Sequence, residues 1–283
     1  MRDGYREDRT RRGGLLAAAL MLVMTGSMAS AQMKEDKAYS LSVGFDFTSH
    51  FVSYGVDVWG GGGHACPWSS ESTKFAYATL TASFSDNLSG FVNVWSDIND
   101  NAESNIGGSI QEVDLNIGVT YAYEKFSFTV ANGCWWYAGD TEHVLDFTVA
   151  YNDADMFTKG FALNPSFTVH WRYEGNGGQD EGFAFVPGLK PSYTLMTDTK
   201  YPVTVSLPMA VAFFTDDFQG GDSGYGYFSV GPAVSVPLSF IPEKYGAWSL
   251  SGSIIYYMTD DGAIPSNPRE NFCVSTVSIG MSI

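Results

Sequence analysis

From Tyr39 to the last residue, apolar and polar positions alternate with a period of two. Leu41, Val43, Phe45 and Phe47 alternate with Ser40, Ser42, Gly44, Asp46 and Thr48. Val113, Leu115, Ile117, Val119 and Tyr121 do so with Glu112, Asp114, Asn116, Gly118 and Thr120. Successive side chains of a strand point to opposite faces, so each run predicts a strand with one apolar and one polar face. Strands are predicted near residues 39 to 58, 73 to 84, 90 to 96, 110 to 123, 126 to 137, 143 to 151, 161 to 173, 182 to 195, 202 to 214, 225 to 239, 247 to 258 and 272 to 283. Many exceed the roughly five or six residues of strands in globular proteins and match the roughly 9 to 11 of a tilted membrane strand. The fold class expected is all-β, an antiparallel up-and-down transmembrane β-barrel of about 12 strands. A secreted β-sandwich also alternates, but its strands are shorter.

The connections support this reading. Gly60 to Ser72, Asp97 to Ser109 and Thr259 to Asn271 are long, whereas Glu124-Lys125 and Ser85 to Ser89 are short. Long loops at one end and short turns at the other place both termini on the short-turn, periplasmic side. Trp136, Tyr137, Trp171, Tyr173, Tyr245 and Trp248 lie near strand ends, where aromatic girdles meet the membrane interface.

Residues 1 to 31 read as a cleaved signal peptide. Arg2, Arg6, Arg9, Arg11 and Arg12 precede the apolar run Leu15 to Met24, and Ala29-Ser30-Ala31 is a small-x-small cleavage site. The apolar run is too short for a membrane helix, which needs about 20 residues. Residues 32–38 are then a short periplasmic segment and 39–283 the barrel, located in a bacterial outer membrane. The leader carries five Arg and three acids, so the net charge of −16 deepens to about −18 in the mature chain. Such a balance excludes nucleic acid as a partner. Most of the acid lies on the long-loop side, where fifteen carboxylates face only Arg269.

Charged residues on the polar face of the strands must point into the lumen, because exposure to lipid is costly. These are Asp46, Asp57, Glu112, Asp114, Asp146, His170, Arg172 and Lys190. Two readings fit them: a polar pathway lined by opposed charges, or a plugged lumen whose charges satisfy one another. The function expected is passive diffusion of small polar solutes or ions, favouring cations, with outer-membrane lipid as the surrounding partner. The alternative is a non-conducting structural or surface-interaction barrel. No enzyme is expected, since none of His50, His64, His143 and His170 lies in an HxSNG-like segment. No cofactor or metal is indicated either: His64 and Cys66 share a glycine-rich loop but have no further ligands nearby in sequence.

The final strand, Val274 to Ile283, resembles the C-terminal strand of outer-membrane barrels, with Val277, Ile279, Met281 and Ile283 apolar. Ser49-His-Phe-Val-Ser-Tyr-Gly-Val56, Glu112-Val-Asp-Leu-Asn-Ile-Gly118, Leu163-Asn-Pro-Ser-Phe-Thr-Val169 and Ser235-Val-Pro-Leu-Ser239 resemble the TorF-type porin family of exported barrels. That resemblance implies an arginine before Gly55, where this chain has Tyr54, so the lumen charge it implies is missing.

Three cysteines are too few for a disulfide scaffold. Barrel closure makes the first and last strands neighbours. Cys66, in the first long loop, and Cys273, at the start of the last strand, can then pair and leave Cys134 unpaired. Three separate thiols, or a bridge using Cys134, are the alternatives.

Overall fold

The structure is a computed structural model that describes residues 38–60, 69, 71–177 and 179–283. The predicted leader and most of the segment after it lie outside the described residues. Twelve antiparallel strands close on themselves. They are β1 (Tyr39–Thr48), β2 (Thr73–Ser83), β3 (Leu88–Ile98), β4 (Ile110–Tyr123), β5 (Phe126–Tyr137) and β6 (Asp140–Tyr151). Then come β7 (Phe161–Ala162 and Ser166–Glu174), β8 (Gly182–Leu189 and Ser192–Leu195), β9 (Val203–Ser206 and Met209–Phe214) and β10 (Gly224–Val230 and Ala233–Pro237). β11 (Ala247–Thr259) and β12 (Asn271–Ser282) complete the sheet. Each strand pairs with its neighbours in sequence, and β1 closes on β12 from Ser42↔Ser282 to Thr48↔Thr276.

The four interrupted strands break beside proline, at Pro165, Pro191, Pro208 and Pro232. Proline cannot donate to the ladder, yet its carbonyl still accepts. Here Tyr151, Leu207, Gly231 and Ile254 donate their backbone N–H to the carbonyls of Pro165, Pro191, Pro208 and Pro232, respectively. The breaks therefore fall side by side on adjacent strands while the wall stays closed.

The faces follow the alternation. In β4, Leu115 and Ile117 are 42% and 54% exposed, whereas Asp114 and Asn116 are 0% and 2% exposed. Leu80, Val92, Phe128, Phe147, Phe185, Leu250 and Val277 share the outward apolar surface. A barrel with this exterior suits a hydrocarbon surround, and closure leaves no strand edge unpaired.

The first strand is shorter than the alternation predicts. β1 stops at Thr48, and the chain turns into the lumen as a hairpin, Val52–Ser53 paired with Val56–Asp57. Its turn residues Tyr54 and Gly55 have φ of 42° and 84°. Positive φ at both central positions is the two-residue turn whose twist matches that of paired strands. A side chain at Gly55 would also meet the Tyr227 ring, 2.6 Å from the position of a Cβ.

Candidate functional site

The hairpin fills the half of the lumen nearest the long loops. Phe51, Val52, Tyr54, Val56 and Val58 are all at most 8% exposed, although none lies in a barrel strand. The Phe51 ring packs 5.2 Å from Phe75 and 5.4 Å from Trp95. The Tyr54 ring lies 4.3 Å from His170 and 5.8 Å from Phe218. Trp135 also stacks on His170, at 5.4 Å. Two further loops clamp the hairpin by its backbone. Gln219 Nε2 donates to the carbonyls of Ser53 and Tyr54, each at 3.3 Å. Asn267 donates to Gly55 O at 2.8 Å and accepts from the Asp57 N–H at 2.8 Å. The backbone groups that a displaced hairpin would have to re-satisfy are thus already paired.

Towards the terminal end the lumen changes character. Along β4 the inward positions run from buried Glu112, Asp114 and Asn116 to half-buried Thr120 and exposed Ala122. Along β5 they run from Tyr137 and Trp135 to half-buried Ala131, Thr129 and Ser127. Threonine pairs line this half, with Thr168 itself still buried: Thr120 with Thr129 at 2.9 Å, Thr148 with Thr168 at 2.8 Å and Thr194 with Thr204 at 3.2 Å. The interior is therefore a cup, open at the terminal end and filled at the loop end.

The predicted lumen residues separate into three groups. His170 and Arg172 are fully buried and paired. His170 Nδ1 lies 2.6 Å from Asp146 Oδ1, and Arg172 Nε lies 2.9 Å from Glu142 Oε1. Arg172 also donates to the carbonyls of Phe218 and Asp180 and sits 4.2 Å over the Phe218 ring. Glu142 accepts from Tyr137 Oη at 2.7 Å. The second group is the acidic wall. Glu112 and Asp114 are 1% and 0% exposed, and their two carboxyl groups are hydrogen-bonded to each other. Asp97 stands beside them across the ladder from Glu112 and accepts from Thr73, Trp59 and Asn99. The third group is dispersed. Asp46 is buried in β1 within 3.4 Å of Tyr77 Oη, and Lys190 is half-buried at the break in β8. Asp57 is in the lumen, but as part of the hairpin rather than of β1, which corrects its expected place on the wall. Asp97, Glu142 and Gln219 were missed by sequence reasoning. Asp97 and Glu142 were read as loop residues, although each continues the inward parity of its strand.

No family model matches the chain, and no curated protein matches it in sequence. Among solved structures, the chain is similar to the NanC porin, with 11% identity, 86% of this chain and 98% of that one covered, and a TM-score of 0.48. It is also similar to a bacterial polysaccharide outer membrane secretin, with 9% identity, coverage of 87% and 97%, and a TM-score of 0.42. The translocator domain of autotransporter NalP from Neisseria meningitidis gives 11% identity, coverage of 89% and 91%, and a TM-score of 0.40.

Of the cysteines, Cys134 is a free thiol and Cys273 is disulfide-bonded. Cys66 lies outside the described residues.

Proposed function

We propose that the protein is an outer-membrane channel for small cations, held closed at rest by its own first loop. The observation that carries this reading is the clamped hairpin from Phe51 to Val58, which seals one half of a lumen whose other half is open and polar. The outward apolar wall supports a place in the membrane, with the long acidic loops on the outer side. Among the described residues the acidic wall of Asp97, Glu112, Asp114 and Glu142 is opposed by the paired Arg172 and by Lys190, fewer cations than acids, so an opened lumen attracts cations and repels anions. The test is the reversal potential, in a salt gradient across a planar bilayer, of a variant whose residues 52–57 are replaced by Gly-Gly. Phe51 and Val58 already meet through a 2.8 Å backbone hydrogen bond, so the shortened chain can close there. Cation preference, stronger at low ionic strength and weakened in Glu112→Gln/Asp114→Asn, is the expected result. Anion preference overturns the selectivity.

A second reading, a permanently non-conducting surface barrel, is favoured by the number of loops that clamp the hairpin. A shortened variant that inserts and stays silent selects it.

We also propose the Cys66–Cys273 bridge, which ties the first loop to the final strand. It is supported by the bonded state of Cys273 and the free thiol of Cys134. Export exposes both cysteines to oxidising conditions. Non-reducing peptide mapping of exported protein is expected to recover the Cys66 and Cys273 peptides as one species. Finding either of them alkylated without reductant contradicts the pairing.

A further inference from the structure

Glu112 and Asp114 occupy successive inward positions of β4, and their carboxyl groups meet in the filled half of the lumen. Two ionised carboxylates offer only acceptors and repel each other, so a hydrogen bond between them requires a proton on one. Among the described residues, neither group accepts from an N–H or from a hydroxyl. The neighbouring donors are spent elsewhere. Tyr137, across the ladder from Glu112, gives its hydroxyl to Glu142 at 2.7 Å. Trp135, across from Asp114, gives its Nε1 proton to Asn116 at 3.1 Å. Arg172 is paired with Glu142 and His170 with Asp146, while Asp97 on β3 accepts from Thr73, Trp59 and Asn99. The hairpin packs the rings on either side of the pair. Trp95, opposite Asp114 on β3, lies 5.4 Å from Phe51, and Trp135 stacks on His170, which lies 4.3 Å from Tyr54. Tyr54 and Asp57 are the hairpin's own ionisable groups; the first lies on His170, and the second has its N–H held by Asn267.

We propose that Glu112 and Asp114 form a proton-loaded lock on the plug: the closed lumen holds a proton between them, opening releases it, and the channel opens more readily as pH rises. The inference deepens the reading of the hairpin as a removable plug and rests on it. With the hairpin in place, the two carboxyl groups share a proton out of reach of solvent, and the carboxylates of Asp97 and Glu142 beside them oppose a further negative charge. With the hairpin displaced, water enters. Hydrated carboxyl groups ionise near pH 4, so the carboxyl O–H bond breaks, water takes the proton and both groups are charged at neutral pH. The closed state therefore binds more protons than the open one. Acid favours closure and alkali favours opening, the sign that linkage requires when the proton-rich state is the closed one. The proton belongs to the pair rather than to either residue. Its release also charges the wall that draws cations into the opened lumen.

The test uses the full mature chain in lipid, with heat-modifiable migration confirming that each variant is folded. Gln219→Ala removes one clamp from the hairpin, so that openings are frequent enough to count in a planar bilayer. Between about pH 6 and about pH 9 its open-to-closed ratio should rise, by up to about tenfold per pH unit for one released proton. Adding Glu112→Gln/Asp114→Asn should flatten that dependence, because the two amides keep a mutual hydrogen bond without a proton to lose. A second reading needs no opening. At neutral pH the infrared carbonyl band of protonated carboxyl groups should be stronger in wild type than in Glu112→Gln/Asp114→Asn. It should also be stronger than in the variant with residues 52–57 replaced by Gly-Gly, where the pair is hydrated. Equal bands in wild type and both variants overturn the proposal. So does a Gln219→Ala channel that is silent, or equally open, at both pH values while the shortened variant conducts. A shortened variant that is itself silent removes the plug reading instead, and this inference with it.

Discussion

Leu115→Arg should assemble poorly in lipid vesicles, with a loss of about 2 to 4 kcal/mol in folding free energy, the cost of an arginine near the midplane of a barrel wall. Leu115 is 42% exposed on the outward face, flanked across the ladder by Val94 and Cys134, so the guanidinium has no lumen to turn into. The alternation alone suggests Asn116→Arg as the mild comparison, because Asn116 faces inward. The structure changes that choice. Asn116 is 2% exposed and accepts from Trp135 Nε1 at 3.1 Å, inside the filled half, where an arginine has no room. Thr120→Arg is the proper control: Thr120 is half-buried, faces the open half and loses only its bond to Thr129. Folding yields and urea midpoints should order as wild type, then Thr120→Arg, then Leu115→Arg. Equal yields for the two arginine variants would show that the outward face is not in lipid.

Arg172→Met should be destabilising by about 3 to 5 kcal/mol, the range for breaking a buried ion pair from one side. Both partners are 0% exposed, so the substitution strands the Glu142 carboxylate with only the Tyr137 hydroxyl to stabilise it. It also frees the carbonyl of Phe218, the residue whose ring packs on Tyr54. The double variant Arg172→Met/Glu142→Leu should recover most of the loss, because removing both partners leaves no uncompensated charge. Urea unfolding of vesicle-inserted protein reads both numbers. A double variant no more stable than Arg172→Met shows that the loss comes from packing rather than from the stranded charge.

Most of the barrel was legible because alternation carries information wherever one face meets lipid and the other meets the lumen. It fails where both faces of a strand are buried. Val52 to Val58 again alternates with a period of two, although its apolar positions are even-numbered where those of β1 are odd, and so reads as more of the same strand, yet in the lumen every side chain of that segment is buried. The signal that could have separated it is Gly55, in mid-run and after Tyr54, at a turn where φ is positive at both positions. The proline breaks in β7 to β10 were hidden for the opposite reason, since ladder bonds to the proline carbonyls hold each wall together. His170, Arg172, Glu112 and Asp114 follow from parity, but their partners do not: Glu142 lies beyond the predicted start of β6. Recognising Ala138-Gly139 as a two-residue turn would have extended that strand back to Asp140. It would also have set Cys134 opposite His143.

The central claim is that the first loop closes the barrel, and single-channel recording of the wild-type protein in a planar bilayer tests it most directly. Inserted wild type is predicted to be silent at low voltage. The variant with residues 52–57 replaced by Gly-Gly should show discrete steps, as should Gly55→Val, whose side chain collides with Tyr227 at a backbone angle that valine resists. Steady open-channel conductance from wild type, equal to that of the shortened variant, would contradict the account.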